Sequence, residues 1–161
     1  MRRRSPIRIV LCDDVAEVRT MLRVVLELED DFAVVGEASD GREAVESAAR
    51  HRPDVLVLDL YMPVMNGLEA IPEIRETSPE TRIVVLSGIE APQAADEAMA
   101  RGATAYIEKG TAADDIVEVL REAAHSAPPG QAPAGGGSGG AASFTPEGPG
   151  GHALAPHPSR R

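Results

Sequence analysis

Polar and charged side chains stand at the ends of four apolar runs in this sequence. Asp13 and Asp14 follow the first run, Asp59 the third, Ser87 the fourth and Lys109 the fifth. If the runs are strands of one parallel sheet, these groups meet at a single edge, because ligands of open α/β sheets bind outside the carboxyl ends of the strands. Carboxylates, a hydroxyl and an ammonium gathered in one crevice predict a site for a metal ion and a phosphoryl group.

Three carboxylates in one crevice repel each other, and each raises the pKa of its neighbours. A hard divalent cation removes the conflict, and Mg²⁺ takes carboxylate, water and phosphate oxygens. Asp59 would then stay anionic and could attack phosphorus to form an aspartyl phosphate. Ser87 would supply a hydroxyl donor and Lys109 an ammonium. Lys109 is the only lysine of the chain, which indicates a requirement for a point charge that a guanidinium fork does not meet.

Hydrophobic periodicity predicts five strands alternating with five helices, the pattern of a doubly wound parallel sheet of the α/β class. The second strand is expected to be short, polar and at an edge. In the flavodoxin-like strand order 2-1-3-4-5, the four strands that end in polar groups are adjacent, about 4.8 Å apart. The predicted strands cover 7–12, 32–38, 54–59, 82–88 and 105–109. The predicted helices cover 15–28, 68–76, 92–101 and 111–124, with a further helix that begins at Asp40 and carries Ala44, Val45 and Ala48 on its apolar face.

Several residues predict where helices begin, end or are interrupted. Asp40 is expected to N-cap the second helix, and Thr111 with Asp114 to form a near capping box on the last one. Gly102 suits the C-terminal end of the fourth helix. Pro72 lies inside the third helix, where it should remove a backbone hydrogen bond or delay the helix start.

The 161 residues allow one domain, predicted at 1–125, and an appendage at 126–161. Residues 1–125 hold 14 Arg or Lys against 25 Asp or Glu, a balance that argues against a nucleic-acid surface. The tail contains nine Gly and seven Pro, so we expect it to be disordered and to carry no helix-turn-helix. The lone Cys12 and the absence of any apolar run near ~18 residues favour a soluble, cytoplasmic protein without membrane contact.

Together, these motifs resemble a two-component response regulator receiver domain over residues 7 to about 124. The amino-acid sequences of residues 62–70 and 82–88 are similar to those of the NarL-type subfamily. The resemblance rests on Asp13-Asp14, Asp59 with Met62-Pro63 and Gly67 behind it, Ser87-Gly88, and Tyr106 three residues before Lys109.

The resemblance implies that Asp59 accepts a phosphoryl group from a histidine kinase. It also implies Mg²⁺ as the cofactor. Asp14 would bind the ion directly and Asp13 through water. The backbone carbonyl of Tyr61 would be a further ligand.

The resemblance further implies that Ser87 and Tyr106 form a switch pair, with the hydroxyl moving toward the phosphoryl group while the ring turns inward. Lys109 would contact the phosphoryl group. Output would pass by protein contact, or through a homodimer, over the face of helix 4, strand 5 and helix 5. Gly110 departs from the family pattern, because many receiver domains have proline there.

Three alternatives stay open at the level of the sequence. The chain could be the receiver of a truncated NarL-type transcriptional regulator, or a phosphorylation-independent protein-binding scaffold. It could also be a Mg²⁺-dependent phosphohydrolase, but such enzymes place a second acid two residues after the nucleophile, where this chain has Tyr61. We therefore expect a signalling protein that catalyses its own phosphorylation and dephosphorylation and is not a turnover enzyme.

Overall fold

The computed structural model describes residues 5–88 and 92–129, and it contains a five-stranded parallel sheet with helices on both faces. The strand order is β2-β1-β3-β4-β5, so the predicted flavodoxin-like, doubly wound sheet is confirmed. The strands are β1 Ile7–Cys12, β2 Phe32–Ala38, β3 Val55–Leu58, β4 Arg82–Ser87 and β5 Ala105–Glu108, and the helices are α1 Ala16–Glu27, α2 Gly41–His51, α3 Gly67–Thr77, α4 Pro92–Arg101 and α5 Ala113–His125.

Alternating residues of the central strands pack into two separate apolar layers. In β3, Leu56 and Leu58 face the layer that includes residues of α2, α3 and α4, whereas Val55 and Val57 face the layer that includes residues of α1 and α5. All four residues are buried. A strand that is apolar on both faces is typical of a parallel sheet covered by helices on both sides.

The second strand lies at an edge of the sheet, as predicted, but the expectation that it is short was wrong. It has seven residues and pairs with β1 along its whole length, with a register irregularity between Ile9 and Val10. The loop before β2 is held by Arg121 of α5, which pairs with Asp31 at 2.7 Å and lies 5.3 Å from the ring centroid of Phe32. These contacts fix the start of the edge strand against α5.

Among the helices whose N-cap residue the structure describes, two begin at side-chain caps. Asp40 accepts a hydrogen bond from the Glu43 backbone N–H at 2.9 Å, which confirms the predicted N-cap of α2. Asn66 caps α3 in a full capping box with Glu69, a feature that the sequence analysis missed. The cap fixes where the helix starts after β3, close to Asp59.

The predicted capping box of the last helix was wrong. The N-cap of α5 is Ala112, which has no capping side chain, and Thr111 instead donates its backbone N–H to the carbonyl of Glu108 in a turn. Gly110 makes this turn possible with φ +105°, a conformation that favours glycine. Asp114 still lies in the first turn of α5, where a carboxylate offsets the partial positive charge of the helix end.

Pro72 lies inside α3 but does not delay its start, which is five residues earlier. The proline has no N–H to donate to the Leu68 carbonyl. Arg101 of α4 supplies the missing donor, with Nη1 3.2 Å from the Leu68 oxygen. The interruption therefore becomes a contact between α3 and α4. Gly102 follows α4 with φ +114°, at the predicted helix end.

The division between residues 125 and 126 remains a prediction. Helix α5 ends at His125, and Ser126 is its C-cap. The expected disorder of the tail concerns residues that, from 130 onward, lie outside the described part of the chain. No helix of the described part is long and apolar enough to cross a membrane.

Gly67 permits a close approach between α3 and the end of β3, and this approach yields a stability prediction. A Cβ atom at Gly67 would lie 2.3 Å from the Asp59 carbonyl oxygen, whereas at Gly88 it would meet only the Lys109 Cδ, at 3.7 Å. We expect Gly67→Ala to lower the free energy of unfolding by about 1–3 kcal/mol because the backbone must shift. Gly88→Ala should stay within about 0.5 kcal/mol of wild type. Urea unfolding measures both, and equal values for the two variants would contradict the packing argument.

Candidate functional site

The carboxyl ends of β1, β3, β4 and β5 bring the predicted site residues together. The Asp59 N–H donates to the Cys12 carbonyl at 2.9 Å, which joins the ends of β3 and β1. The Lys109 N–H donates to the Ser87 carbonyl at 2.8 Å, which joins the ends of β5 and β4. Residues almost a hundred positions apart in sequence therefore lie at one edge of the sheet, which we call the acidic edge.

Three carboxylates form a group at the acidic edge. Oxygen atoms of Asp13, Asp14 and Asp59 all lie within 4.8 Å of one another. Asp13 is 3% exposed and Asp59 4% exposed, whereas Asp14 is exposed. An all-oxygen donor set of this kind suits a hard divalent cation such as Mg²⁺.

Lys109 is the one cation that contacts these carboxylates in the described residues. Its Nζ lies 2.7 Å from Asp13 Oδ2 and 3.1 Å from Asp59 Oδ2. Burial lowers the pKa of Lys109, but the hydrogen bonds to the two carboxylates and their negative charge together raise it by more. The pKa of Lys109 therefore lies above its ordinary value. Lys109 is therefore held in its charged form.

Opposing effects act on the pKa of Asp59. Burial and then the negative charge of Asp13 raise its pKa, and the contacts with Lys109 only partly offset them, so the pKa lies above the ordinary aspartate value. The Tyr61 backbone N–H is 3.4 Å from Asp59 Oδ1. A single ammonium does not balance the charge that the fold concentrates around Asp59.

The loop after β1 is held by its own backbone and by Arg19, a residue that the sequence analysis missed. The Val15 N–H donates to Asp13 Oδ1 at 2.9 Å, and Arg19 Nη1 donates to the Asp13 carbonyl. The Nε of Arg19 pairs with Glu37 at 3.3 Å. Arg19 therefore fixes the direction of the loop that presents Asp13. Its helical position one turn after that loop was the only sequence signal.

The predicted switch residues lie on adjacent strands. Ser87 is fully buried, and its Oγ has no hydrogen-bond partner among the described residues, which is unusual for a buried hydroxyl. Tyr106 is partly buried and packs against the apolar layer that includes residues of α2, α3 and α4. The Tyr61 side chain is 55% exposed, and two residues after Tyr61 lies Pro63, with Val64 beyond it at φ +68°. In the loop after Asp59, Leu60 and Met62 are therefore buried, whereas Tyr61 and Val64 are exposed.

The strand order and the clustered carboxylates define a class of signalling domain. The family model described as "Response regulator receiver domain" matches residues 9–121, and the chain belongs to this family. It is a receiver domain of two-component signalling, with the NarL-type character that the sequence predicted.

Particular relatives support this assignment. The chain is 39% identical to the nitrate/nitrite response regulator NarL of Escherichia coli over 124 residues, covering 77% of this chain and 57% of NarL. It is 36% identical to the chemotaxis protein CheY of Thermotoga maritima over 115 residues, covering 71% of this chain and 95% of CheY. The chain thus spans a little over half the length of NarL.

Solved structures agree with the fold. The receiver domain of the NarL regulator from Mycobacterium tuberculosis superposes with a TM-score of 0.72 at 31% identity, covering 75% of this chain and 98% of that one. The response regulator domain of Thermotoga maritima CheB gives a TM-score of 0.72 at 34% identity, covering 76% and 99%.

Removing the ammonium from the acidic edge should be destabilising in metal-free buffer. We expect Lys109→Met to cost about 2–3 kcal/mol, less than the roughly 3–5 kcal/mol of a fully buried pair, because the side chain of Lys109 is 26% exposed. Adding Asp59→Asn should recover more than half of that loss, since it removes one of the unbalanced charges.

Urea unfolding of the two single variants and the double variant measures this coupling. The control adds Asp115→Asn, a change at an exposed residue of α5, to Lys109→Met and should recover nothing. Additive effects of Lys109→Met and Asp59→Asn would show that the three-way contact does not govern stability.

Proposed function

We propose that Asp59 is the phosphoacceptor of this receiver domain, that a histidine kinase is its donor, and that phosphorylation switches the protein between signalling states. One observation carries the proposal. Asp59 is almost fully buried, yet it faces two further carboxylates within 4.8 Å and the Nζ of Lys109 at 3.1 Å. Such a concentration of like charge is costly for stability alone and is typical of a functional site.

The residues present fit a magnesium ion. Asp13, Asp14 and Asp59 offer oxygen ligands from two neighbouring strands, and the negative charge exceeds what Lys109 neutralises. We propose that Asp14 binds the ion directly, Asp13 through water, and the Tyr61 carbonyl as a further ligand. When bound, Mg²⁺ would neutralise charge on the carboxylates and on the incoming phosphoryl group.

The phosphoryl transfer itself uses Asp59. A carboxylate oxygen of Asp59 forms a bond to phosphorus while the bond from phosphorus to the donor nitrogen breaks, and the electron pair leaves with the donor. Lys109, already held at the site in its charged form, binds a phosphoryl oxygen. The Ser87 hydroxyl donates to another, and the lack of any described partner for its Oγ leaves it available.

The proposed switch begins with the contact between the Ser87 hydroxyl and the phosphoryl group. Movement of Ser87 toward the phosphoryl group would vacate space beside Tyr106, which lies on the neighbouring strand and packs against the apolar layer. The ring would turn inward and change the surface formed by α4, β5 and α5. We propose this surface as the contact for an output protein or a second copy of the chain. A cytoplasmic location stays a prediction of the sequence.

The phosphoacceptor assignment predicts the mass of the protein after treatment with a small phosphodonor. With acetyl phosphate and Mg²⁺, the wild type should gain one phosphoryl group, and Asp59→Asn should gain none. The control Asp115→Asn changes the net charge by the same amount as Asp59→Asn, but at an exposed residue of α5, and should behave as wild type.

Intact-mass spectrometry with a parallel assay for free phosphate distinguishes the alternatives. A phosphoprotein that persists supports a switch, whereas rapid continuous release of phosphate supports a phosphohydrolase. A phosphoryl group retained by Asp59→Asn would overturn the site assignment.

The proposed metal ligands predict how Mg²⁺ changes thermal stability. At a hundredfold excess over its dissociation constant, a ligand that binds only the folded state adds about 2.7 kcal/mol. Asp14→Asn should lose more than half of the stabilisation by Mg²⁺, and because Asp14 is exposed, the variant should fold normally without the ion. Asp115→Asn should retain the full response. Identical Mg²⁺ titrations for Asp14→Asn and wild type would exclude Asp14 as a ligand.

A further inference from the structure

The arginines of this protein divide into two groups. Ten lie in the described residues, and five of these form ion pairs with Asp or Glu. The other five form no ion pair in the described part of the chain. All five lie at the amino ends of β1 and β4 or at the carboxyl ends of α2 and α3, on the edge of the sheet opposite Asp59. We call this the basic edge, formed by Arg8, Arg50, Arg52, Arg75 and Arg82.

Helix ends account for only part of this arrangement. Arg50, Arg52 and Arg75 lie at helix C-termini, where a positive charge offsets the partial negative charge of the last carbonyls. Arg8 and Arg82 lie in strands and have no such role. The basic edge therefore holds more positive charge than its helices require.

Arg75 has an unusual environment. Its Nη1 donates to the Pro79 carbonyl at 3.3 Å, but Nε and Nη2 are buried without a partner among the described residues. Burial, with a smaller contribution from the charge of Arg82, lowers the pKa of Arg75. The Arg75 and Arg82 guanidinium groups therefore lie close enough to influence each other.

A polar cleft of about 330 Å³ opens at the basic edge between the loops that precede β3 and β4. Arg52 and Arg82 line it, together with two carboxylates. Asp54 is already engaged, since its Oδ2 accepts the Arg8 backbone N–H at 2.8 Å. Glu80 is exposed and forms no ion pair in the described residues. The volume lies within the range of small-molecule sites, roughly 300–1,000 Å³.

The floor of the cleft is rigid. The hydroxyls of Ser78 and Thr81 are 2.7 Å apart, and Thr81 Oγ1 donates to the Pro53 carbonyl at 2.8 Å. Both residues are buried. On the wall, Arg82 is fixed by Nε and Nη2, which both donate to the Ser126 carbonyl, at 3.2 and 2.6 Å, and its Nη1 remains for a ligand. A cleft whose polar groups are held in place loses little entropy when an anion binds.

We propose that this cleft binds a small phosphate-bearing anion between Arg52 and Arg82. Guanidinium groups match phosphate oxygens in a fork geometry. The cleft holds two arginines and two carboxylates, of which Asp54 accepts the Arg8 backbone N–H and Glu80 is exposed to solvent. The chain as a whole has a net charge of −10. That overall charge disfavours a long polyanion such as a nucleic acid, which would meet acidic surface beyond the cleft. The cleft shares no residue with the acidic edge, so the proposal stands independently of the phosphoacceptor assignment.

The test is a titration of the full-length Asp59→Asn protein with inorganic pyrophosphate in metal-free buffer, followed by amide chemical shifts in NMR. ADP, in a second arm, distinguishes a nucleotide from an inorganic anion, and saturable binding of either at the cleft supports the proposal. The shifts should concentrate at Asp54, Glu80 and Thr81. Shifts confined to the surroundings of Asp13 and Lys109 would overturn it.

Variants of the two arginines sharpen the test. Arg52 has φ +43°, and asparagine tolerates this left-handed conformation, so Arg52→Asn removes the charge without straining the loop. We expect it to weaken pyrophosphate binding about tenfold, the effect of losing one charge-assisted hydrogen bond. Arg82→Gln should act similarly if it folds.

The matched control is Arg42→Gln, at the opposite end of α2, where Arg42 is paired with Glu73. This variant should leave the dissociation constant unchanged. An equal loss of affinity in Arg42→Gln and Arg52→Asn would show only general electrostatic attraction, and an unchanged affinity in Arg52→Asn would remove the site.

Discussion

The contact between Lys109 and two buried carboxylates is the constraint on which the site depends. Asp13 and Asp59 are almost completely shielded from water, and both carboxylates face the same ammonium at 2.7 and 3.1 Å. The exposed Asp14 adds further negative charge nearby. Transfer of an ion from water to a protein interior costs several kcal/mol unless it is well compensated. One cation cannot compensate three anions, so the fold maintains an excess of negative charge that a divalent cation would neutralise.

Parallel topology makes this concentration possible. Every strand of this parallel sheet ends at the same edge, so the polar residues that follow β1, β3 and β5 lie together there, outside the two apolar layers. The backbone around the site remains satisfied, since the Asp59 N–H reaches Cys12 and the Gly67 N–H reaches Leu60. With the backbone fixed, the carboxylates of Asp13 and Asp59 have little freedom to move apart. Charge repulsion is therefore borne by the site and cannot be relaxed by the loops.

Much of this arrangement could be predicted from the sequence. The apolar runs located all five strands, and the polar residue after each run identified Asp59, Ser87 and Lys109 as neighbours. The order of the strands was inferred by analogy with known doubly wound sheets, because periodicity within an element carries no information about which elements are adjacent. The assignments of phosphoacceptor, metal ligands and switch residues remain predictions, since geometry places these groups together without revealing what they do.

The features that the sequence did not predict arise from competing local interactions or from contacts between distant elements. Thr111 was expected to cap α5, but its N–H closes the turn that Gly110 allows, and the helix begins one residue later. Asn66 was read as a loop residue although Glu69 three positions on completes a capping box. Arg19 joins Glu37 and the Asp13 carbonyl across two strands, a contact that no local pattern indicates. Such contacts can be predicted only when the positions of several elements are known together.

The clustered carboxylates and the unpaired arginines lie at opposite edges of the sheet for a common reason. In each strand-to-helix unit, the carboxyl end of the strand and the amino end of the next helix lie at one edge, and the helix ends at the other. Helix ends favour carboxylates at the first edge and arginines at the second, each by about 0.3–1 kcal/mol. That contribution is smaller than the several kcal/mol that a buried, unpaired charge costs. Helix dipoles can therefore explain the sign of charge at each edge but not the excess at Asp59 or at Arg75. A cation at the acidic edge would offset the excess at Asp59, and an anion in the cleft would offset the charge of Arg52 and of Arg82, the neighbour of Arg75.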